Sequence, residues 1–223
     1  MKYLIINADD FGYSKGINRG IIEAMNEGVV TSTSVMVYGD AVDDVGLLHD
    51  ITHISVGLHV HMEHTIPNAQ EELNKQIDIF TTLFGLKPDH IDVHRPRASD
   101  LTQLLPLLRE YSKEHKTPVR ELGHAKSIKD FFGLDVKNGG TFDANRITVE
   151  SLLSVLEALD EGVSEIMCHV GYADDALRNM SSYSDARETE LRSLTDERIL
   201  NYIHNTDDVT LVNWKTAPIN LSL

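Results

Sequence analysis

The sequence predicts an α/β fold in which about seven mostly parallel strands alternate with helices around a partly closed (β/α) barrel. Three observations lead there. Short apolar, often β-branched runs recur along the chain and read as strands buried on both faces. Longer segments with apolar residues at helical spacing separate them. The residues richest in chemistry, Asp9, Asp10, His59, His61, His94 and His169, fall where the apolar runs end. In parallel α/β architectures those carboxyl ends of strands are where sites are built.

The elements follow in order. Tyr3–Ile6 is a strand that closes on Asn7-Ala8-Asp9-Asp10. Ser14 caps a helix with Ile17, Ile21, Ala24 and Met25 on its inner face and Gly28 as its stop. Strands are expected around Val29–Val37 and His53–Met62, then a helix facing inward through Leu73, Ile77, Phe80 and Phe84. A strand at His90–His94 precedes a helix marked by Leu101, Leu104, Leu105, Leu108 and Tyr111, with Pro106 as an irregularity inside it. Val119–Leu122 is a further, weaker strand, and Lys137–Thr141 a loop. Thr148–Leu159 is an amphipathic helix, Glu165–His169 a strand, 184–204 helical, and Val209–Trp214 the last strand.

With 223 residues, 41% of them hydrophobic, and no linker, repeat or low-complexity stretch, one domain over residues 1–223 is expected. No apolar run approaches the ~18 residues that span a bilayer. The start, Met-Lys-Tyr-Leu-Ile-Ile-Asn-Ala-Asp-Asp, lacks the long apolar region of a signal peptide, so the chain is expected in the cytoplasm. A formal charge of −15 opposes nucleic acid and anionic membranes as partners. The single cysteine, Cys168, rules out a disulfide framework and a cysteine-based metal cluster, leaving histidine and carboxylate as metal donors.

Two adjacent carboxylates at one strand end repel, so they call for a cation or a shared proton. Capping of the following helix accounts for Asp9 and Asp10 equally well on these two residues alone. The histidines favour the cation. His59 and His61 are two apart and share a strand face, as do His90 and His94. Two histidines with one carboxylate make an open site for a divalent ion that leaves room for water, which is the arrangement of a hydrolase.

The motifs Asn-Ala-Asp-Asp-Phe-Gly at 7–12, Gly-Val-Val-Thr-Ser-Thr-Ser at 28–34, Val-Gly-Leu-His at 56–59 and His-Ile-Asp-Val-His at 90–94 resemble those of the YdjC-like carbohydrate deacetylases. Met-Cys-His-Val-Gly-Tyr at 167–172 and Tyr183, Arg187, Glu190-Leu191 and Leu194-Thr195 extend the likeness over most of the chain. The resemblance implies a distorted (β/α) barrel, one divalent metal ion (Mg²⁺ or Zn²⁺), and deacetylation of N-acetylglucosamine-type oligosaccharides. Carried over, Asp10, His59 and His94 are the metal ligands, Asp9 the general base and His169 the general acid. A homodimer is expected at the level of the family.

Two departures bear on substrate. The family commonly continues past the last histidine of the fourth motif with more histidines, whereas this chain reads His94-Arg95-Pro96-Arg97. Arg95 and Arg97 either grip a carboxylate- or phosphate-bearing sugar or balance an acidic surface. The acid motif reads His169-Val170-Gly171 where the family usually has proline between His and Gly. His61 is an extra ligand, a substrate contact or a partner behind a ligand, and substrate contact is the reading adopted. Tyr172 is assigned to the sugar groove, while packing is the expectation for Arg187. Rival readings of the same donors are a phosphoesterase or other amide hydrolase, an iron oxygenase, and a sugar-binding protein without turnover.

Overall fold

The computed structural model describes residues 1–62, 68–135 and 140–221. Its centre is β1 (Lys2–Phe11), in which every residue from Leu4 onward is buried. Such a strand needs partners on both sides, and β1 has three, all parallel. β8 (Gly162–Cys168) pairs with residues 2–8, while β9 (Val209–Leu211) and β2 (Ser32–Val35) share the opposite side, at residues 2–4 and 7–11. Outward from β2 lie β3 (Ser55–Val60) and β4 (Ile91–Val93), and beyond β8 lies β5 (Lys126–Ile128), giving one seven-stranded parallel sheet.

The segment after Pro118 spans the open side between the edge strands β4 and β5. Ile91 donates its backbone N–H to the Pro118 carbonyl at 3.0 Å, and Val93 donates to Glu121 Oε1 at 3.0 Å, before the chain reaches β8 through β5. The sheet is therefore curled into a half-barrel, the distorted (β/α) barrel expected. Around it run α1 (Lys15–Asn26), α2 (Ala69–Phe84), α3 (Ala98–His115), α4 (Val149–Glu157), α5 (Asp175–Met180), α6 (Asp185–Leu194) and α7 (Glu197–Asn205). Among the described residues no helix is long and apolar enough to cross a membrane.

The helix signals behave as their chemistry requires. Ser14 Oγ accepts from Ile17 N–H at 3.2 Å and starts α1, whose buried face includes Ile17, Ile21, Ala24 and Met25. α1 sits so close to the loop after β8 that a Cβ on Gly20 would meet Gly171 Cα at 2.6 Å. α3 runs through Pro106, which lies on its exposed side.

Several expectations need correction. The strand expected at Val119–Leu122 is a single bridge at Val119 followed by a 3-10 turn at Arg120–Leu122, and the strand proper is β5. Gly123, in the left-handed region at φ 75°, turns the chain there, and Val119 N–H is taken by His124 Nδ1 at 2.8 Å. The helical stretch at 184–204 is two helices, because Asp196 leaves the helical path and accepts from Arg198 N–H to start α7. A hairpin, β6 (Leu134–Asp135) with β7 (Thr141–Phe142), and α5 were not anticipated. Of the loop read at Lys137–Thr141, residues 137–139 lie outside the described residues.

Candidate active site

The site begins with a distortion at the end of β1. In a regular strand Asp9 and Asp10 would point to opposite faces. Here the pairing with β2 slips between Ala8 and Phe11, and Asp10 takes the left-handed conformation at φ 75°, rare for a residue with a side chain. Both carboxylates are buried, each about 1% exposed. Backbone strain of this kind persists only where the surroundings over-determine it.

Asp10 Oδ1 is the meeting point of two histidines. His59 Nε2, from β3, lies 3.2 Å from it, and His94 Nδ1, just past β4, lies 3.1 Å from it. The two ring nitrogens are themselves 3.1 Å apart. Three donors about one ion with bonds of about 2.1 Å are separated by roughly 3.0–3.4 Å, so these residues fit a divalent metal in geometry as well as in donor type. A carboxylate with two imidazoles suits Zn²⁺ and its neighbours in the series. A second grouping, Asp9, His59 and Asp92, also satisfies distance criteria, but its carboxylates are already occupied by a cation.

That cation is Arg120, from the segment that spans the barrel opening. Its Nη1 and Nη2 donate to Asp9 Oδ2 and Oδ1, both at 2.8 Å, while Nη2 also lies 2.8 Å from Asp92 Oδ2 and Nε donates to Glu165 Oε1 at 2.9 Å. Asn7 Nδ2 adds a bond to Asp9 Oδ1 at 2.8 Å. Asp92 in turn faces His59 Nδ1 at 2.7 Å, which fixes the ring so that Nε2 points at Asp10. A second arginine, the buried Arg187 of α6, donates from Nη2 to Asp10 Oδ2 at 2.6 Å and from Nε to the Tyr183 carbonyl at 3.1 Å.

These charges set the protonation states. Burial alone would raise the Asp10 pKa, but Arg187 and the bonds from His59 and His94 outweigh it and hold the carboxyl well below the usual range. Burial likewise opposes a charge on His59, yet Asp92 and Asp9 raise its pKa well above that of a free histidine. Glu165 goes the other way: burial pushes it up to about 7 despite Arg120. Asp92 is held below the normal carboxylate range, Arg120 more than offsetting burial.

His169, at the end of β8, packs its ring against Phe132 and Tyr183, with centroids 5.0 and 5.9 Å away. Burial lowers its pKa to about 4. Its backbone N–H donates to Glu190 Oε2 at 2.6 Å, and Glu190 also accepts from the Tyr183 hydroxyl. Burial raises the Glu190 pKa to about 7.

The donors open through His94 into a cleft of about 420 Å³ lined in part by Tyr13, Tyr38, His61, His94, Arg95 and Arg97. His61 is held there by Gln76, which bonds both its backbone N–H at 3.0 Å and its carbonyl at 2.7 Å. Arg97 is committed to α3: its Nε and Nη2 donate to the two oxygens of Asp100 at 2.8 and 2.7 Å. Arg95, with φ 40°, makes one long contact to Ser181 Oγ at 3.5 Å. Tyr172 is not among the cleft residues. Its hydroxyl donates to Glu23, and Arg19 stacks over its ring at 4.3 Å, both on α1.

The structure brings the expected donors Asp10, His59 and His94 together, whereas sequence reasoning gave no role to Asp92, Arg120, Glu165 or Glu190 and treated Arg187 as packing. Asp92 was within reach, since it lies between His90 and His94 on the same strand face. Glu165, a charge inside an apolar strand, was a second signal. Arg120 carries no local signal, because its role depends on which strand ends the barrel brings together.

Fold and site together define a half-barrel α/β protein with a two-histidine, one-carboxylate centre at its strand ends. Residues 3–71 and 61–205 match the YdjC-like protein family, and the chain belongs to it. A carbohydrate deacetylase of Brevibacillus brevis is 33% identical, covering 91% of this chain and 94% of that protein. A chitooligosaccharide deacetylase of Citrobacter koseri is 32% identical over 87% and 91%. Among solved structures, an Enterococcus faecalis protein described as a cellobiose-phosphate cleavage protein superposes with a TM-score of 0.78 at 25% identity, covering 96% of this chain and 98% of that one.

Proposed function

We propose that this protein is a divalent-metal-dependent hydrolase that removes the acetyl group from an N-acetylglucosamine-type oligosaccharide. The observation that carries the reading is the convergence of Asp10 Oδ1, His59 Nε2 and His94 Nδ1 within 3.2 Å of one another, with a second carboxylate, Asp9, fixed beside them. The names of the Brevibacillus and Citrobacter relatives support the choice of substrate.

Asp10, His59 and His94 would hold a divalent ion, which when bound would supply a Lewis acid for the acetyl carbonyl and water acidic enough to react near neutrality. Asp9 acts as general base. Its Oδ1 takes donors from Arg120 and Asn7, whereas Oδ2 has Arg120 Nη1 as its donor among the described residues, leaving a lone pair for the proton. Arg120 holds the plane of that carboxylate. As the carbon–oxygen bond forms and the carbon–nitrogen bond breaks, His169 gives a proton to the departing amine. Its ring is neutral at rest because burial lowers its pKa, with Asp10 and Asp9 favouring the charged form and Arg187 and His59 opposing it, so the proton it delivers is the one that Asp9 took from the attacking water. His61 lies at the cleft where the sugar enters, and Tyr172 steadies α1 beside it.

The test is acetate release from N,N′-diacetylchitobiose by metal-reconstituted protein, beside Asp9→Asn and a chelated control. Release that disappears in both controls supports the reading, and stoichiometric metal without release removes it. A second reading, an anionic sugar, is favoured by Arg95, which lines the cleft and has no carboxylate partner among the described residues. The Enterococcus protein's description, naming a phosphorylated disaccharide, points the same way. A lower KM for the phosphorylated than for the neutral disaccharide, lost in Arg95→Ala, distinguishes it.

A further inference from the structure

Asp10 has two oxygens with different surroundings. Oδ1 faces His59 Nε2 and His94 Nδ1. Oδ2 is bound by Arg187 Nη2 at 2.6 Å, a charge-assisted contact between groups whose side chains are each 2% exposed. Arg187 is itself held in place by its Nε bond to the Tyr183 carbonyl, and it is among the largest fully buried side chains of the protein. It reaches Asp10 from α6, 177 residues away in sequence. The left-handed backbone at Asp10 further restricts how the carboxylate can turn.

We infer that Arg187 is a positioning residue that restricts Asp10 to one metal bond, through Oδ1, and so keeps a coordination position open for water or substrate. The count explains why this matters. Two histidines and a single carboxylate oxygen make three protein bonds, the number typical of catalytic zinc sites, with a place left over. A carboxylate bound through both oxygens makes four and fills a four-coordinate ion with protein. Arg187 gives Oδ2 a partner it would have to abandon to reach the ion. The inference rests on the reading of Asp10, His59 and His94 as the metal ligands.

The probe is Co²⁺, whose visible absorption reports coordination number and geometry. Wild-type protein, Arg187→Met and Arg187→Lys are titrated with Co²⁺, and circular dichroism confirms that each variant is folded. Arg187→Met is expected to bind Co²⁺ within about 10- to 100-fold of wild type, the usual effect of removing a partner behind a ligand. Its visible bands are expected to change in position and intensity, and Arg187→Lys, which keeps a donor for Oδ2, to restore them in part. Bands that superimpose on wild type in folded Arg187→Met overturn the inference. Should Arg187→Met fail to fold, the wild type alone decides. A crystal structure of the Co²⁺-loaded protein with one Asp10 oxygen on the ion supports the inference, and one with both oxygens on it overturns it. Failure of Co²⁺ to bind wild type, or equal binding by His59→Ala, instead overturns the ligand assignment and this inference with it.

Discussion

Asp9 and Asp10 are neighbours in sequence, equally buried and each paired with an arginine, yet the two arginines do opposite things. Arg120 holds Asp9 by both oxygens and shares its charge with Asp92 and Glu165. Arg187 holds Asp10 by one oxygen and leaves the other to the histidines. The Asp9 side is a closed network whose geometry is set before any ligand arrives. The Asp10 side is an unfinished one, with three donors aimed at a common point. On the proposed reading one pair of adjacent carboxylates divides into a proton acceptor and a metal ligand, the division being made by residues over a hundred positions away.

The largest effect expected is at Arg120. Replacing it with Met leaves Asp9, Asp92 and Glu165 buried without their cation, and a loss of about 3–5 kcal/mol in unfolding free energy is expected by chemical denaturation. A loss under about 1 kcal/mol breaks the picture of a network built around this residue. Asp9→Asn should lower kcat by about 10²- to 10⁴-fold while metal affinity changes only a few-fold, because the amide keeps the shape but cannot take a proton. Equal losses in turnover and metal affinity for Asp9→Asn and Asp10→Asn would mean that the two sides do not differ as described.

A subtler difference should appear in pH dependence. In the metal-free site His59 keeps its proton well above its ordinary pKa because Asp92 and Asp9 outweigh burial. An ion can bind Nε2 only after that proton leaves, so affinity should rise with pH, by about tenfold per unit, until the raised pKa is passed. Calorimetry in buffers of different ionisation enthalpy should detect about one proton released per ion. Zero release contradicts the assignment of His59 as a charged group in the free site. The smallest effects belong to the mouth. Arg97→Ala removes a pair in which the arginine is exposed and Asp100 is buried, and should cost about 1 kcal/mol of stability with little change in KM, whereas Arg95→Ala should raise KM for an anionic sugar.

The strand–helix alternation and the polar pairs Asp9/Asp10, His59/His61 and His90/His94 were legible because each is a local pattern, an apolar run, a helical period or a polar residue where the run stops, whereas the choice of Asp10, His59 and His94 among them came from the family resemblance. Gly57 shows what such patterns miss. It reads as part of a strand motif, but a Cβ there would meet the His90 ring at 2.3 Å, and that ring stacks on Trp214 with centroids 5.1 Å apart. His90 is therefore buried support under β3, although it shares a strand face with His94, one of the three converging donors. The strand misplaced at Val119–Leu122 has the same origin. Its apolar residues border the segment that bridges β4 to β5, where Arg120 sits in a 3-10 turn and reaches three carboxylates. Distant pairings of this kind have no period in the sequence, and Arg120, Arg187 and Glu190 owe their roles to them.

The most direct test of the ligand assignment is turnover of N,N′-diacetylchitobiose measured against equivalents of Zn²⁺ added to stripped protein, for wild type and His59→Ala. Wild-type activity should rise linearly and break at one ion per chain, with His59→Ala remaining at the metal-free level throughout. Acetate release by the stripped wild type at the rate of the loaded one, or a His59→Ala titration that matches wild type, would contradict the account.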